Sequence, residues 1–205
     1  MLAMEALEIE PSEGLRRAGR EDSALLGAIT ADAFREDPFN HWTFGNETAM
    51  RHTFTGYARH VYTPRGYCCR AADGAAAMWL GPGGDKELPF HAMPGLAAAL
   101  LTSGGPRALM RGMAADAALA AHKPQTPHVY LFTIAVRPAL QGQGYGRRLM
   151  QPVLKACDRA RLPAYLESSN PANLGFYGSL GFKVIGEIQI APGAPPMTPM
   201  WRDAR

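Results

Sequence analysis

The feature that most constrains the fold of this chain is a glycine-rich turn between an apolar strand and a helix. Residues 128–136 are rich in β-branched and aromatic side chains, which favour a strand. Residues 141–146 follow soon after and contain three glycines at alternate positions. Glycine lets backbone amides approach a ligand closely, and a helix N-terminus offers unpaired N–H donors with a partial positive charge. The turn is therefore suited to a phosphate or pyrophosphate.

Several interpretations of this turn compete on the residues alone. A nucleotide-binding P-loop ends in Gly-Lys-Ser or Gly-Lys-Thr, whereas two arginines follow Gly146 here, which disfavours that class. A dinucleotide fingerprint G-x-G-x-x-G counted from Gly142 places Arg147 at the third glycine position and fails. A site for another phosphate-bearing ligand and a tight turn without a ligand both remain open.

The second half of the chain alternates strands and helices, which is typical of an α/β fold. The helix after the turn is predicted to bury Leu149, Met150, Val153, Leu154 and Cys157, which have helical spacing. Strands are predicted over 164–167, 183–190 and 197–201, and a short helix over 171–180. In the first half, the pattern predicts a short strand at 15–18, helices over 21–34 and 48–62, a hairpin of strands 66–70 and 75–80 turning at Asp73-Gly74, and two helices within 95–122.

Residues 1–14 are acidic and aperiodic, which predicts a loose N-terminal arm. No segment of the chain has the composition of a linker long enough to separate two domains. We therefore expect residues 15–205 to form a single domain.

Composition and charge exclude several classes of protein. Hydrophobic residues make up 47% of the chain and charged residues 19%, which argues against disorder. The net charge is only +3, and the arginines are scattered, whereas nucleic-acid binding needs a basic cluster. The three cysteines cannot form a disulfide scaffold, and the histidines lack metal-ligand spacing. Because the N-terminus lacks a signal peptide and no apolar run could span a membrane, we expect a cytoplasmic protein without metal, nucleic-acid or membrane partners.

Two motifs in the second half resemble those of the GNAT superfamily of N-acetyltransferases. Gln141-x-x-Gly144-x-Gly146 is similar to the Q/R-x-x-G-x-G/A acetyl-CoA motif of that family. Residues 173–182, which end in FYGSLGF, look like the family's second signature. The motifs stand in the expected order and separation. The resemblance is clear over residues 129–190 and is nearest to small-molecule acetyltransferases of the puromycin N-acetyltransferase type.

The resemblance implies a GNAT acyltransferase fold: an α/β architecture whose mixed central sheet of about six or seven strands has splayed middle strands and is flanked by helices. Acetyl-CoA, as co-substrate, would lie in the V between the splayed strands. Its pantetheine arm would pair with strand backbone and its pyrophosphate would sit on the amides of the turn. The residues so implied in binding are Ile134, Ala135, Val136, Gln141, Gly142, Gln143, Gly144, Tyr145, Gly146, Arg147 and Asn173.

The same resemblance assigns catalytic roles. Tyr177 is similar to the family tyrosine that donates a proton to the departing thiolate, with a purely structural core aromatic as the alternative. Glu167, at the end of its strand, is a candidate base or amine binder, with a structural carboxylate as the alternative. A polar and aromatic cluster after the first helix, which includes Asp37, Phe39 and Phe44, would either wall the acceptor pocket or belong to the core.

We therefore expect an acetyl-CoA-dependent N-acetyltransferase that acts on the amine of a small molecule by direct attack in a ternary complex, as a monomer or homodimer. One alternative is a non-catalytic acyl-CoA-binding or regulatory protein of the same fold, and another is a protein N-acetyltransferase. The presence of both the glycine turn and Tyr177 favours an enzyme.

Overall fold

A computed structural model of the protein describes residues 4–71 and 74–205, and these form a seven-stranded mixed sheet with helices packed on both faces. The strands are β1 (Arg16–Arg17), β2 (Gly66–Ala71), β3 (Ala75–Leu80), β4 (Val129–Val136), β5 (Ala164–Ser168), β6 (Lys183–Val184) and β7 (Thr198–Arg202). The predicted hairpin of β2 and β3 is confirmed, although Asp73, expected in its turn, lies outside the described residues.

The sequence places helices on either side of these strands. They are α1 (Ser23–Ala33), α2 (Pro38–Phe44), α3 (Glu47–Tyr57), α4 (Thr63–Arg65), α5 (Met93–Ala121), α6 (Tyr145–Ala160) and α7 (Leu174–Ser179). A π-helical turn, Ala58–Tyr62, continues α3 into α4. The backbone of Gly105 is non-helical, with φ 74° and ψ −179°, so α5 consists of two helices joined at a kink, as predicted. Among the described residues, no helix has the length and apolar character needed to cross a bilayer.

The strand order in the sheet is β1-β2-β3-β4-β5-β7-β6. The neighbours β4 and β5 run parallel, and the other neighbouring strands pair antiparallel. Helix α6 makes the crossover that a parallel pair requires. The expected α/β class and the number of strands are confirmed.

The core lies on both faces of the central strands. On β3, Ala77 and Trp79 belong to the cluster that packs against α6, whereas Met78 and Leu80 belong to the cluster that packs against α1. This alternation follows from the two-residue period of a strand. Helix α6 contributes to its cluster the residues predicted to face inward, namely Leu149, Met150, Val153, Leu154 and Cys157.

The prediction of a strand over 183–190 is wrong in length. Of residues 183–190, only Lys183–Val184 forms a strand, and Ile188 makes an isolated bridge to Met197. Gly186 lies in the interruption, where a residue without a side chain weakens strand pairing. Ile188 is buried, whereas Val184 and Ile185 are exposed, so the apolar pattern of this segment does not correspond to a continuous strand.

Helix α2 was missed because its start signal also ends α1. Asp37 has an extended backbone, with ψ 123°, and its side chain accepts a hydrogen bond from the Asn40 amide. Pro38 occupies the first helical turn, where a proline needs no amide partner. Because the residue before a proline disfavours the helical backbone, the Asp37-Pro38 pair predicts the end of the helix over 21–34. In the structure α1 ends at Ala33, and the pair is an N-cap followed by a new helix.

The N-terminal segment contacts the core in its described part. Met4–Leu7 forms a 3₁₀ turn, and Met4 and Leu7 are buried in the cluster beneath α6. Farther along, Arg148 of α6 donates to the carbonyl of Glu13. A loose arm was expected for residues 1–14, and these contacts instead hold the described portion against α6.

Candidate active site

Strands β4 and β5 diverge in the middle of the sheet. They pair over three residues, Val129–Leu131 on β4 with Ala164–Leu166 on β5. Beyond this point β5 continues beside β7, and β4 continues beside β3 up to Val136. The two carboxyl ends thus form a V-shaped opening, which agrees with the splayed middle strands expected for this fold.

A bulge in β4 marks the point of divergence. The register between β3 and β4 shifts between Met78 and Trp79, so that Phe132 has no partner in the ladder. Leu131 faces the α6 side before the bulge and Ile134 faces it afterwards, so the bulge reverses which residues point to that face. Beyond Leu131, the edge of β4 that faces β5 has no paired strand among the described residues. Peptide groups along it can bind a ligand, up to the Val136 carbonyl, which accepts from the Gln141 side chain.

The glycine turn lies directly after β4. Gly142 and Gly144 have φ of 76° and 81°, values that favour glycine. A Cβ added at either position would meet no protein atom within 4 Å, so the space above the turn is open. At Gly146, by contrast, a Cβ would approach the Phe176 ring to 3.1 Å. Glycine therefore serves the backbone conformation at the first two positions and close packing at the third.

The N-terminus of α6 presents positive charge to this open space. Its first turn contains no acidic residue, although acidic side chains would stabilise the helix dipole there. It carries Arg147 and Arg148 instead, and Arg147 donates to the Ser179 hydroxyl at 2.8 Å. A helix start with free amides and cationic side chains is a favourable place for an anion.

The turn and the diverging strands open into one cleft of about 1300 Å³. The residues expected from the sequence that line it are Ile134, Val136, Gln141, Gly142, Gly144, Tyr145, Gly146, Arg147, Glu167, Asn173 and Tyr177. The cleft also contains the Thr133 hydroxyl, which is buried without a hydrogen-bond partner. The free peptide edge, the open turn and this unpaired hydroxyl fit a phosphate-bearing ligand with an amide-rich arm.

Two of the expected residues turn their side chains away from the cleft. The side chain of Ala135 is buried on the α1 face of the sheet, so only its peptide group is available to a ligand. The Gln143 amide donates to the carbonyl of Ala139 at 3.1 Å. The Gln141 amide similarly donates to Val136 at 3.1 Å, which ties the turn to the end of β4.

Tyr177 lies in the wall of the cleft with its ring packed between Phe176 and Phe182. Only 7% of the residue is exposed. Burial raises the pKa of its hydroxyl above the ordinary value, and the negative charge of Asp37 adds to this effect. The hydroxyl is therefore fully protonated at neutral pH, which is the state a proton donor requires.

Asp37 is held in place by a buried hydrogen-bond network. Its carboxylate accepts from the Asn40 amide groups, at 2.9 Å from the backbone and 2.7 Å from the side chain. The Ser169 hydroxyl donates to its second oxygen at 2.7 Å. The network connects α2 to the segment after β5, next to Tyr177. Sequence reasoning singled out Asp37 but not its connection to Ser169, because 132 residues separate them in the chain.

Glu167 lies on β5 just after the strands diverge. Burial raises the pKa of its carboxyl, while the Tyr130 hydroxyl, the Lys86 ammonium and the Tyr165 hydroxyl act in the opposite direction. A carboxylate with a raised pKa is a stronger base than an ordinary glutamate. Its neighbours Lys86 and Tyr130 were not found from the sequence, because they reach the site from other elements and have no motif of their own.

Within the described part of the chain, no group of three or more histidine, cysteine, aspartate or glutamate residues is placed to hold a metal ion. The three cysteines, Cys68, Cys69 and Cys157, are free and buried. Burial raises the pKa of Cys69 and of Cys157 to about 12. Neither thiol is therefore suited to act as a nucleophile at neutral pH.

The sequence matches known acetyltransferases. The model of the acetyltransferase (GNAT) family matches residues 112–182, which contain β4, the glycine turn, α6, β5 and Tyr177. A Schizosaccharomyces pombe protein named as an uncharacterized N-acetyltransferase is 29% identical over 186 residues. The alignment covers 82% of this chain and 73% of that protein.

Solved structures share the fold. A Corynebacterium glutamicum protein described as a histone acetyltransferase and related acetyltransferase is 22% identical, with a TM-score of 0.66 over 93% of this chain and 96% of that chain. The Drosophila melanogaster polyamine N-acetyltransferase that forms N-acetylagmatine is 16% identical, with a TM-score of 0.57 over 92% and 98% of the two chains. Such low identities establish the fold alone. Together with the diverging strands, the comparisons show that residues 112–182 match the acetyltransferase (GNAT) family and that the chain shares the fold of solved acetyltransferases.

Proposed function

We propose that residues 15–205 act as one catalytic domain that transfers the acetyl group of acetyl-CoA to the amine of a small molecule. The observation that carries the proposal is the divergence of β4 and β5 beside an open glycine turn, with Glu167 and Tyr177 lining the same cleft. Both substrates would occupy the cleft together, so that the amine attacks the thioester directly. Proximity of this kind supplies a large part of the rate enhancement.

The backbone of the cleft would hold acetyl-CoA, which supplies the activated acetyl group as a thioester. The free edge of β4, including the peptide groups of Ile134, Ala135 and Val136, would pair with the amide-rich arm. The amides of residues 141–147 would receive the pyrophosphate, with Arg147 compensating its charge. Asn173, which lines the cleft, would contact the same ligand.

Glu167 would receive the incoming amine. An amine is protonated at neutral pH and must lose a proton before it can attack a carbonyl carbon. The Glu167 carboxylate can bind the ammonium and take that proton, because its raised pKa brings its basicity closer to that of the amine. Lys86 and Tyr130, which lie near the carboxylate, would orient it.

Tyr177 would protonate the leaving group. As the carbon–sulfur bond breaks, the sulfur takes the bonding electron pair, and the Tyr177 hydroxyl donates a proton to it. Its raised pKa keeps the hydroxyl in the donor form. The nitrogen, which becomes positively charged as it attacks, releases its second proton to solvent when the amide forms. Tyr177 then regains a proton from solvent and Glu167 releases the proton it took, so the enzyme returns to its starting state with one proton released overall.

The walls of the cleft favour a small acceptor over a protein. Helices α2, α3 and α5 all contribute lining residues, among them Phe39, Phe54 and Leu100. These apolar side chains would surround a small acceptor, whereas a protein acceptor would need an open groove for a peptide. We also infer a cytoplasmic location, because the three cysteines are free and a reducing compartment keeps them so.

The test is an acetyl-CoA turnover screen against a panel of small amines. Release of free thiol and the mass of the acetylated amine would be measured in parallel, and the two should rise in equal amounts. Thiol release without an acetylated amine in any reaction would contradict the proposal. Calorimetry with acetyl-CoA alone distinguishes a non-catalytic acyl-CoA-binding protein, which would bind it without turnover, and acetylation of added peptides in preference to amines would indicate a protein acetyltransferase.

A further inference from the structure

The cleft ends in an aromatic and aliphatic chamber that acetyl-CoA, held at the glycine turn, would leave open. We call it the acceptor chamber, and its lining residues are Phe34, Phe44, Phe54, Leu96, Leu100 and Leu109. The Phe54 ring lies 5.7 Å from the Phe34 ring and 6.0 Å from the Phe44 ring, in edge-to-face arrangements. Such a surface binds an apolar group by burying it from water.

The chamber walls are held in place by contacts between α5 and the helices beside it. A Cβ on Gly104 would lie 3.1 Å from the Phe44 carbonyl and 3.2 Å from the Ala49 Cβ, so only glycine allows this approach. Arg111 on α5 donates to the Trp42 carbonyl at 2.6 Å and lies 4.4 Å above the Trp42 ring. The chamber is therefore preformed, which reduces the cost of binding.

Most of the carboxylates that line the cleft are not available to bind a cation in the acceptor chamber. Asp37 is saturated by hydrogen bonds from Asn40 and Ser169. Asp116 pairs with Lys86 at 3.3 Å, and Glu36 and Glu87 are exposed to solvent at the rim. Glu167 has the Tyr130 hydroxyl and the Lys86 ammonium nearby, but it lies at the divergence of the strands and lines the cleft. It is the carboxylate that we assign to the incoming ammonium.

We propose that the acceptor is a monocationic primary amine whose nitrogen is joined by a short linker to a bulky apolar or aromatic body. The inference rests on the proposed function. The ammonium would meet Glu167, and the body would fill the acceptor chamber. A diamine or polyamine would place its second cation against apolar side chains without a partner, which disfavours its binding.

A matched amine panel tests this assignment. With acetyl-CoA in excess, kcat/KM would be compared for 2-phenylethylamine, butylamine, putrescine and agmatine. We expect 2-phenylethylamine to exceed the two dications by about 10²-fold, because it buries a phenyl group and brings no second cation into the chamber. Equal or higher kcat/KM for agmatine or putrescine would overturn the assignment and leave the acetyltransferase function intact.

A charge placed in the chamber sharpens the test. Leu96→Glu adds a carboxylate to the α5 wall at a half-buried position, and we expect it to lower kcat/KM for 2-phenylethylamine and raise it for agmatine. The control is Leu101→Glu, since Leu101 is 45% exposed and is not among the residues that line the cleft. It should leave the order of the four amines unchanged. An unchanged order in Leu96→Glu would remove the chamber from the acceptor site.

Binding without turnover separates this assignment from the proposed function. Calorimetry would titrate 2-phenylethylamine into the wild-type protein saturated with CoA, which lacks the acetyl group. Binding that Leu96→Glu weakens would support the chamber even if no amine is acetylated, in which case only the transfer step fails. Absence of binding by 2-phenylethylamine, with agmatine binding under the same conditions, would refute the chamber.

Discussion

The two ends of the cleft are built from different parts of the chain. The end beside β4 and α6 offers backbone: a free strand edge, an open glycine turn and a helix N-terminus. The other end, between α2, α3 and α5, offers side chains, most of them apolar. A backbone site depends on strand geometry and a few glycines, whereas a side-chain chamber can change its shape and polarity with each substitution. The first end thus suits a constant co-substrate and the second a particular acceptor.

Gly144→Val should produce the largest effect, and it should affect acetyl-CoA binding at the glycine turn without changing the acceptor chamber. A β-branched side chain at φ 81° would displace the turn and occupy the space where phosphate oxygens must approach. We expect the affinity for acetyl-CoA in calorimetry to fall by more than about 10⁴-fold, below what the measurement detects, since several charge-assisted hydrogen bonds are lost together.

The matched control is Gly193→Val. Gly193 has φ 78° and open space around its Cβ position, but it is not among the residues that line the cleft. The two variants carry similar backbone strain and should lose similar thermal stability. If both bind acetyl-CoA as the wild type does, the turn is not the phosphate site.

Tyr177→Phe tests the chemistry between the two ends. The substitution keeps the ring and removes the hydroxyl, so kcat should fall by about 10²–10⁴-fold while acetyl-CoA affinity and thermal stability stay nearly constant. Tyr67→Phe is the control, because Tyr67 is also buried with an unpaired hydroxyl but lies away from the cleft. A preserved kcat with lowered stability would make Tyr177 a structural aromatic, provided that acetyl transfer limits turnover.

Glu167→Gln should lower kcat/KM by about 10²-fold at neutral pH, because an amide cannot take a proton from the amine. In the wild type, activity should fall as the pH drops through the pKa of Glu167, which burial raises above the ordinary value of 4.5. The acidic limb of the pH profile should therefore lie above pH 4.5 and disappear in the variant. An identical acidic limb in both proteins would assign the proton to another group.

Glu167→Gln should raise thermal stability at neutral pH, although it lowers activity. Because the folded-state pKa of Glu167 is raised, the glutamate contributes stability below its unfolded-state pKa and loses it as the pH rises through the folded-state pKa. Glu167→Gln should then have a higher Tm than the wild type at neutral pH and an equal Tm below about pH 4. A lower Tm at neutral pH would show that the carboxylate stabilises the fold.

The smallest effect is expected at the cysteines, which lie outside both ends of the cleft. All three are buried, and burial raises their pKa values. A thiol reagent should label none of them in the native protein at neutral pH and all three after denaturation. Rapid native labelling would indicate an open core around β2 or α6.

The difference between the two ends also explains what the sequence could predict. The glycine turn, the strand before it and the helix after it are contiguous, and each has a local signal in spacing or composition. They were predicted together, and the family resemblance they carry agrees with the family match. The inward face of α6 was equally predictable, because its residues follow the period of the helix.

The acceptor chamber could not be predicted in this way. Phe34 follows the last residue of α1, Phe54 lies on α3 and Leu100 lies on α5. Each has the character of an ordinary core residue. Helix α2 was missed because Asp37-Pro38 is a signal for the end of one helix as well as for the start of another. The hydrogen bond from Ser169 to Asp37 was missed because it joins segments that are distant in the chain. Tertiary packing, which has no short sequence signature, decides these features.

Amide hydrogen exchange with and without acetyl-CoA tests the central claim most directly, because it measures backbone contacts residue by residue. We expect new protection at residues 132–136 and 141–147 when acetyl-CoA is added, with no change in β1 and β2. Protection confined to other segments, or an unchanged pattern at saturating acetyl-CoA, would contradict a co-substrate site between the diverging strands.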